Sequence, residues 1–276
     1  MQTQQIIHNH TDTLEKPVDA APGSVTMDPM ALSTVTTGSK NEDIYSLTYG
    51  GHIFKLNKEK QWDFINTGKF GFKDISCAKN GDLFAVAGHD NLLHQYIEGQ
   101  FIKITIDHNV PLSHIKAITG KKVLGVGLGD NLPVVLDIKH GTDASTLKRP
   151  SWVRFGNVPL KNIACGSKQL LHKMEIWGLG VDDYPYRFDD STDKWYKVGD
   201  VKMRLLDIST DNVVYGVTAT DGLLFKWNSK DKFSVVEKAE SKCREVNLVS
   251  ISSYKESRAI HAIDGKSGNL IKLRGM

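Results

Sequence analysis

The stretch VVYGVTATDGLLFKWN, residues 213–228, contains two apolar segments that alternate with small or polar residues, and TDG lies between them. Alternation of this kind predicts two β-strands, and a short turn that contains glycine predicts that they form a β-hairpin. One hairpin is compatible with many folds. Its recurrence along the chain therefore decides which fold the sequence encodes.

The hairpin recurs five more times. Its first strand is matched by DIYSLTY, DLFAVAG, KVLGVGL, EIWGLGV and RAIHAID, which begin at positions 43, 82, 122, 175 and 258. Its second strand, LLFKWN, is matched by HIFKLN, LLHQYI, LPVVLD, YPYRFD and LIKLRG. Six hairpins with one pattern indicate a repeat protein.

Each hairpin is preceded by an apolar strand, and most are followed by a strand that opens with an aromatic residue. The preceding strands are anchored near Val35, Ile75, Ile115, Ile163, Ile208 and Ile251, at intervals of 40, 40, 48, 45 and 43 residues. The aromatic residues are Trp62, Phe101, Trp152, Trp195 and Phe233. Four short strands per repeat of about 43 residues are typical of a propeller blade. We predict an all-β fold, a six-bladed β-propeller with four-stranded antiparallel blades.

The sixth repeat ends at Met276, directly after its third strand. A blade without its fourth strand would expose a sheet edge. We expect the N-terminal tail, residues 1–30, to supply this outer strand to the propeller of residues 31–276. The candidate segments are QQIIHN and EKPVDA. Pro17 in the second segment is tolerated only at an edge.

The composition argues against several functional classes. The 276 residues carry a net charge of +3 without a block of like charges, so neither nucleic acid nor an anionic membrane is expected as a partner. There is no signal-like N-terminus and no long apolar stretch, so we expect a cytoplasmic protein without a transmembrane segment, unless it is secreted by an unconventional route. Cys77, Cys165 and Cys243 lack metal-binding spacing, and we expect reduced thiols, no metal and no cofactor.

The repeat resembles the tectonin or tachylectin-type repeat. The best-matching copies are WVRFGNVPLKNIACG with EIWGLGVDDYPYRFDDSTDKW, and WYKVGDVKMRLLDIS with VVYGVTATDGLLFKWN. The resemblance extends from Ala31 to Arg274, although Leu124 and Ile260 stand where other repeats have an aromatic residue. It implies a six-bladed lectin that binds glycans such as methylated sugars or bacterial lipopolysaccharide, often in defence against microbes or predators.

The middle residue of the third strand is one candidate binding position. It reads Lys55, Gln95, Val135, Arg187, Lys226 and Lys272. A long polar side chain beside a groove between blades could donate hydrogen bonds to sugar hydroxyls or to phosphate. The same side chains could equally be solvated residues whose stems pack on the neighbouring blade. The apolar side chain of Val135 cannot form such hydrogen bonds, so not every blade would carry a site.

Aromatic residues are the second candidate set. Trp152 and Trp195 recur once per repeat, whereas Trp177, Tyr184 and Tyr186 cluster in one repeat that has an insertion. An aromatic ring can stack on the apolar face of a pyranose, but recurrence at one structural position is also what packing predicts.

We expect a non-enzymatic lectin with several similar shallow sites that gain avidity from multivalency, as a monomer or weak oligomer. A protein-interaction scaffold with no sugar binding is the main alternative. A hydrolase with an axial metal would need convergent carboxylates on the innermost strands. The positions two residues past the anchors are instead small, namely Thr37, Cys77, Ala117, Cys165, Thr210 and Ser253.

Overall fold

The computed structural model describes residues 31–38, 43–65, 71–106, 108–138, 150–166, 175–209, 212–228, 232–236, 247–254 and 259–274. The regular structure of these ranges consists of 23 β-strands in six antiparallel sheets. The predicted six-bladed β-propeller is thereby confirmed. The described part of the chain contains no helix that could span a membrane.

Each blade uses consecutive strands, which we number in chain order. Blades 1 and 2 comprise β1 (Leu32–Thr37), β2 (Ile44–Thr48), β3 (Ile53–Leu56), β4 (Trp62–Ile65), β5 (Phe72–Cys77), β6 (Leu83–Ala87), β7 (Leu93–Ile97) and β8 (Gln100–Lys103). Blades 3 and 4 comprise β9 (Leu112–Thr119), β10 (Lys122–Gly127), β11 (Pro133–Asp137), β12 (Trp152–Arg154), β13 (Leu160–Cys165), β14 (Ile176–Gly180), β15 (Pro185–Asp189) and β16 (Lys194–Lys197). Blades 5 and 6 comprise β17 (Met203–Ile208), β18 (Val214–Thr218), β19 (Leu224–Asn228), β20 (Lys232–Val235), β21 (Leu248–Tyr254), β22 (Ala259–Asp264) and β23 (Leu270–Arg274).

The innermost strands β1, β5, β9, β13, β17 and β21 contact one another in succession, and β21 contacts β1. Apolar residues fill the space between successive blades, so the core is divided into six layers. In the closing layer, for example, Leu32 and Val35 of blade 1 pack with Ile263 and Leu270 of blade 6. The sixth blade has three strands within the described residues. The tail that we expect to supply its fourth strand, residues 1–30, lies outside them.

The register of the sheets corrects two sequence alignments. In every blade, the anchor residue of the innermost strand faces Ser, Ala or Gly on the second strand. In blade 5 that residue is Leu206, opposite Gly216, rather than Ile208. In blade 6, His261 rather than Ile260 occupies the second-strand position that is aromatic in four other blades, because it pairs with Lys272. Both errors arose because neighbouring apolar residues allow more than one alignment of the repeat.

A left-handed residue lies in the turn between the second and third strands of every blade. These residues are Gly51, Asn91, Asn131, Asp183, Gly222 and Gly268, with φ between 57° and 80°. The carbonyl oxygens of five of them accept hydrogen bonds of 2.7–3.1 Å from the first residue of the next innermost strand. The donors are the backbone N–H groups of Phe72, Leu112, Leu160, Met203 and, across the closure of the ring, Leu32. Because Gly, Asn and Asp adopt this conformation most readily, the turn sequences fit the bond.

Small polar side chains make a second set of bonds between blades near the axis. Thr36 Oγ1 accepts from the backbone N–H of Cys77 at 2.9 Å, and Ser76 Oγ accepts from that of Ala117 at 2.9 Å. Ser250 Oγ accepts from the N–H of Val35 at 3.1 Å, which joins the last blade to the first. Blades 1 and 6 are therefore connected by the kinds of bond found elsewhere in the ring.

The cysteines of the innermost strands are packing residues. Cys77 and Cys165 are buried free thiols, 5% and 7% exposed. Burial raises the pKa of Cys165 to about 12 and also raises the pKa of Cys77. Both thiols are therefore protonated at neutral pH and unreactive. Thr210, Cys243 and the side chain of Ser253 lie outside the described part of the structure.

Candidate functional site

The predicted third-strand residues share one strand position in all six blades. Each is paired with a second-strand residue, and in blades 1 to 5 that partner packs in the apolar layer toward the next blade. The partners of the four Lys and Arg residues are Tyr, Trp, Tyr and His. The pairs are Lys55 with Tyr45, Gln95 with Phe84, Val135 with Leu124, Arg187 with Trp177, Lys226 with Tyr215 and Lys272 with His261. Lys55 Nζ lies 5.3 Å from the centroid of the Tyr45 ring. The Lys55 side chain therefore lies toward the groove between blades 1 and 2.

Arg187 is held by a carboxylate of its own blade. Its Nε lies 2.8 Å from Glu175 Oε1, and its Nη2 donates to Glu175 Oε2 at 3.2 Å. Glu175 Oε1 also accepts from the indole N–H of Trp177 at 2.8 Å. In blade 1, Asp43 occupies the position of Glu175 and lies 3.6 Å from Lys55. The fork of bonds makes the Arg187 pair the more rigid of the two.

A cleft of about 640 Å³ lies between blades 4 and 5, beside this ion pair. It is lined by Glu175, Arg187, Phe188, Asp189, Asp190, Ser191, Tyr196, Lys197, Val198, Gly199 and Trp227. We call it groove 4/5. Tyr196 is the cross-strand neighbour of Arg187 and is 50% exposed, and half-buried Trp227 forms the opposite wall. A cleft of this volume that combines aromatic and polar groups is large enough for a small ligand.

Two predicted tryptophans are core residues and are removed from the candidate site. Trp177 is 0% exposed and makes edge contacts with the rings of Trp227 and Phe233, at centroid distances of 5.3 and 6.1 Å. Trp195 is 7% exposed and packs on Phe155 and Phe188. Their rings bury apolar area between blades and are not accessible to a sugar.

Trp152 packs, half-buried, against the apolar layer between blades 2 and 3. Trp152 therefore lies in a different inter-blade layer from groove 4/5 and is not brought together with Arg187.

Tyr184 and Tyr186 lie near the turn between β14 and β15, and neither lines groove 4/5. Lys197 Nζ lies 3.2 Å from the centroid of the Tyr184 ring, a cation–π contact. Tyr186 donates a hydrogen bond from Oη to Asp182 Oδ2 at 2.8 Å, and burial together with Asp182 raises the pKa of this phenol. Both side chains have protein partners, and Tyr186 packs against the apolar layer between blades 3 and 4 rather than toward groove 4/5.

The sequence analysis missed several groove residues. Glu175, Asp189, Asp190, Tyr196 and Trp227 were not predicted, although two signals point to them. An acidic residue, Asp43 or Glu175, lies directly before the second strand and faces a third-strand cation in the repeats with Lys55 and Arg187. Strand pairing places Tyr196 opposite Arg187, which alternation along β15 and β16 could have indicated.

The axial channel carries charged residues, contrary to the expectation of small neutral ones. Asp74 Oδ2 lies 2.9 Å from His114 Nδ1, and Asn162 Nδ2 lies 3.2 Å from His114 Nε2. Lys116 Nζ donates to Asp207 Oδ1 at 2.7 Å. These residues are sequence neighbours of the anchor residues, so strand alternation directs their side chains to the axis. The positions used in the prediction lie two residues past the anchors and therefore point the other way.

The channel is narrow and its charges are paired. Its cavity measures about 70 Å³. Burial lowers the pKa of His114, but the charge and hydrogen bond of Asp74 outweigh burial and raise this pKa above its usual value. Within the described ranges, no group of three or more His, Cys, Asp or Glu residues is arranged to hold a metal ion. The arrangement braces the blades around the axis.

Solved structures with this fold include several propellers of very low sequence identity. The β-propeller domain of Cps50 (Swd1) from Myceliophteria thermophila is 8% identical, with a TM-score of 0.64 over 92% of this chain and 100% of that one. U3-55K is 9% identical, with a TM-score of 0.59 over 92% and 99% of the two chains. YCF48 bound to D1 peptide is 10% identical, with a TM-score of 0.58 over 94% and 97%. At such identities, the likeness extends to the fold alone.

No curated protein matches the chain. The Tectonin domain family matches residues 31–254, which comprise most of the sequence and parts of all six blades. The match agrees with the repeat pattern and with the ring of six blades. The chain is a member of the tectonin family.

Proposed function

We propose that the protein is a non-enzymatic lectin and that groove 4/5 is its principal glycan site. The observation that carries the proposal is the combination of a forked Arg187–Glu175 pair with two accessible aromatic side chains, Tyr196 and Trp227, in one cleft. Arg187 is 54% exposed in its side chain and has N–H donors beyond the two that face Glu175. Membership of the tectonin family supports the same function.

The six grooves are not equivalent in chemistry. The position of Arg187 is Val135 in groove 3/4 and Gln95 in groove 2/3, and the position of Trp227 is Leu136 in groove 2/3. We therefore expect one dominant site rather than the several similar sites that the repeat suggested. Lys55 and Asp43, with Tyr96 of blade 2, make groove 1/2 the next candidate. We expect a monomer or weak oligomer that binds no nucleic acid and acts in the cytoplasm unless it is exported.

The test is a glycan array that includes methylated sugars and lipopolysaccharides, followed by titration of the best ligand. We expect Arg187→Ala to weaken binding by about tenfold or more, as loss of a hydrogen bond from a charged donor would. The matched control is Arg154→Ala, because Arg154 is an exposed arginine paired with Asp130 outside the groove. Equal effects of the two variants, or an array without binding, would reject the proposed site.

An interaction scaffold is the second candidate function. The face with the second-to-third-strand turns exposes three apolar side chains at one turn position. They are Tyr49, Leu128 and Val181, which are 67%, 45% and 52% exposed. Contiguous exposed apolar surface is typical of protein-binding sites, and Leu128 and Val181 lie at the same turn position of neighbouring blades. An array without binding, together with a protein partner that the double variant Leu128→Ser, Val181→Ser no longer binds, would favour this function.

A further inference from the structure

The cation in groove 4/5 is neutralised by its neighbour. Arg187 faces both carboxylate oxygens of Glu175 at 2.8 and 3.2 Å, within a fork that fits a carboxylate. Asp189 and Asp190 also line the groove, so three carboxylates accompany its two cations, Arg187 and Lys197. The ammonium of Lys197 lies over the Tyr184 ring. Each cation that lines the groove therefore has a partner, Glu175 for Arg187 and the Tyr184 ring for Lys197.

This neutralisation is not a requirement of the fold. The strand register places an acid at the position of Glu175 in blades 1 and 2 as well, namely Asp43 and Asp82, but Lys122 in blade 3 and Val213 in blade 5. Lys226 of blade 5 thus has an aromatic neighbour, Tyr215, without an acid at that position. An acid at this position is therefore a property of particular grooves, and in groove 4/5 its charge bears on the ligand.

A carboxylate or phosphate that took the fork of Arg187 would have to displace Glu175, and one that used the remaining N–H groups would lie beside the Glu175 carboxylate; Asp189 and Asp190 also line the groove. An anionic ligand would be repelled by these carboxylates, and breaking the forked pair would lose its two hydrogen bonds. A neutral sugar avoids both costs. Its hydroxyls can accept from the remaining N–H groups of Arg187 and donate to Glu175 without separating the pair.

We propose that Glu175 is a specificity-determining residue that restricts groove 4/5 to neutral glycans and excludes anionic ones. The inference rests on the proposed lectin function and narrows it. It selects uncharged sugars over sugars that carry a carboxylate or phosphate group.

The test compares two probes, an O-methylated neutral oligosaccharide and the same oligosaccharide carrying a phosphate group. The wild type should bind the neutral probe more tightly. Glu175→Gln should raise the ratio of anionic to neutral binding by about tenfold, as one new charge-assisted hydrogen bond would. Gln retains an acceptor for the Trp177 indole, so the core contact is kept.

Two controls isolate the charge. Glu175→Asp keeps the charge and should keep the wild-type ratio. Asp130→Asn releases Arg154, an exposed arginine outside the groove, and should also leave the ratio unchanged. A wild-type preference for the anionic probe, or an unchanged ratio in folded Glu175→Gln, would overturn the inference alone. A wild type that binds neither probe nor any array glycan would overturn the lectin function together with it.

Discussion

Single residues with a left-handed backbone hold neighbouring blades together. Gly51 has a φ of 80°, and a Cβ added there would lie 2.9 Å from Gly71 Cα and from the backbone nitrogen of Phe72. That nitrogen donates to Gly51 O at 2.9 Å, so there is no space for a side chain at the joint. Gly99 has a similar φ of 86°, but nothing lies within 4 Å of its added Cβ.

Substitution of Gly99 therefore tests backbone strain alone, whereas substitution of Gly51 tests strain together with steric contact. We expect Gly99→Ala to lower the free energy of unfolding by about 1–2 kcal/mol, the cost of a left-handed alanine. Gly51→Ala should cost about 1–3 kcal/mol more, because the next blade must move. Urea denaturation of both variants measures the difference. Equal losses would show that the joint does not depend on close approach.

His114 gives a prediction of pH dependence. Its folded pKa is raised by Asp74, so its ion pair stabilises the fold fully below the unfolded pKa of about 6.5 and is lost as pH rises through the folded value. The groups that face it are Asp74, Lys116 and Asn162. We expect the stability difference between wild type and His114→Gln to shrink as pH rises above about 6.5, measured by urea denaturation at a series of pH values.

His94 provides the opposite sign as a control. Burial lowers its pKa, so it is neutral in the folded protein and its contribution is lost as pH falls below about 6.5. The wild type should thus lose stability relative to His94→Gln at acidic pH. A His114 difference that is constant over the same range would contradict the axial ion pair.

Among the strands, the first and second strands of each blade pack through a glycine, alanine or serine opposite the anchor. A Cβ on Gly178 would lie 2.5 Å from a methyl group of Leu160, which is 0% exposed. The corresponding residues Ala85 and Ala262 show that other blades accept a methyl group there.

We expect Gly178→Ala to destabilise the protein by about 1–3 kcal/mol, since a well-packed layer resists an added methyl group. Gly129→Ala, in an exposed turn with nothing within 4 Å of its Cβ, should change stability little. Thermal denaturation of the two variants checks the comparison. A Gly178→Ala protein as stable as Gly129→Ala would mean that Leu160 moves freely.

Strands and hairpins could be predicted from the sequence because period-2 alternation and turn residues are local signals. The groove could be predicted only in part. Arg187 stood out because its position recurs in every repeat. Trp227, however, comes from the next blade, and Glu175 lies directly before the second strand of the same blade. Their meeting depends on how the blades pack. Trp177 was misassigned because alternation alone does not show whether a large aromatic side chain is covered by the next blade.

At the scale of the whole molecule, six apolar layers and a repeated backbone bond close the ring. The bond from Leu32 N–H to Gly268 O, at 3.1 Å, and the Ser250 bond to Val35 join the first and last blades. The strand β23 has no outer partner within the described residues. The ring is thus closed near the axis, and in the described part of the chain the outer edge of blade 6 is the strand β23.

Deletion of residues 1–30 tests the predicted closing strand. We expect the truncated protein to remain folded, because the bonds near the axis are kept, but to melt at a clearly lower temperature, because an outer strand and its apolar contacts are lost. Differential scanning calorimetry of the full chain and the truncated chain provides the comparison. An unchanged melting curve would reject closure by the N-terminal tail.

A crystal structure with the best array glycan bound tests the central claim most directly. The account predicts a sugar in groove 4/5, with its apolar face against Tyr196 or Trp227 and hydroxyl groups hydrogen-bonded to Arg187 and Glu175. A sugar bound only in other grooves, or on the face that carries Tyr49, Leu128 and Val181, would contradict it.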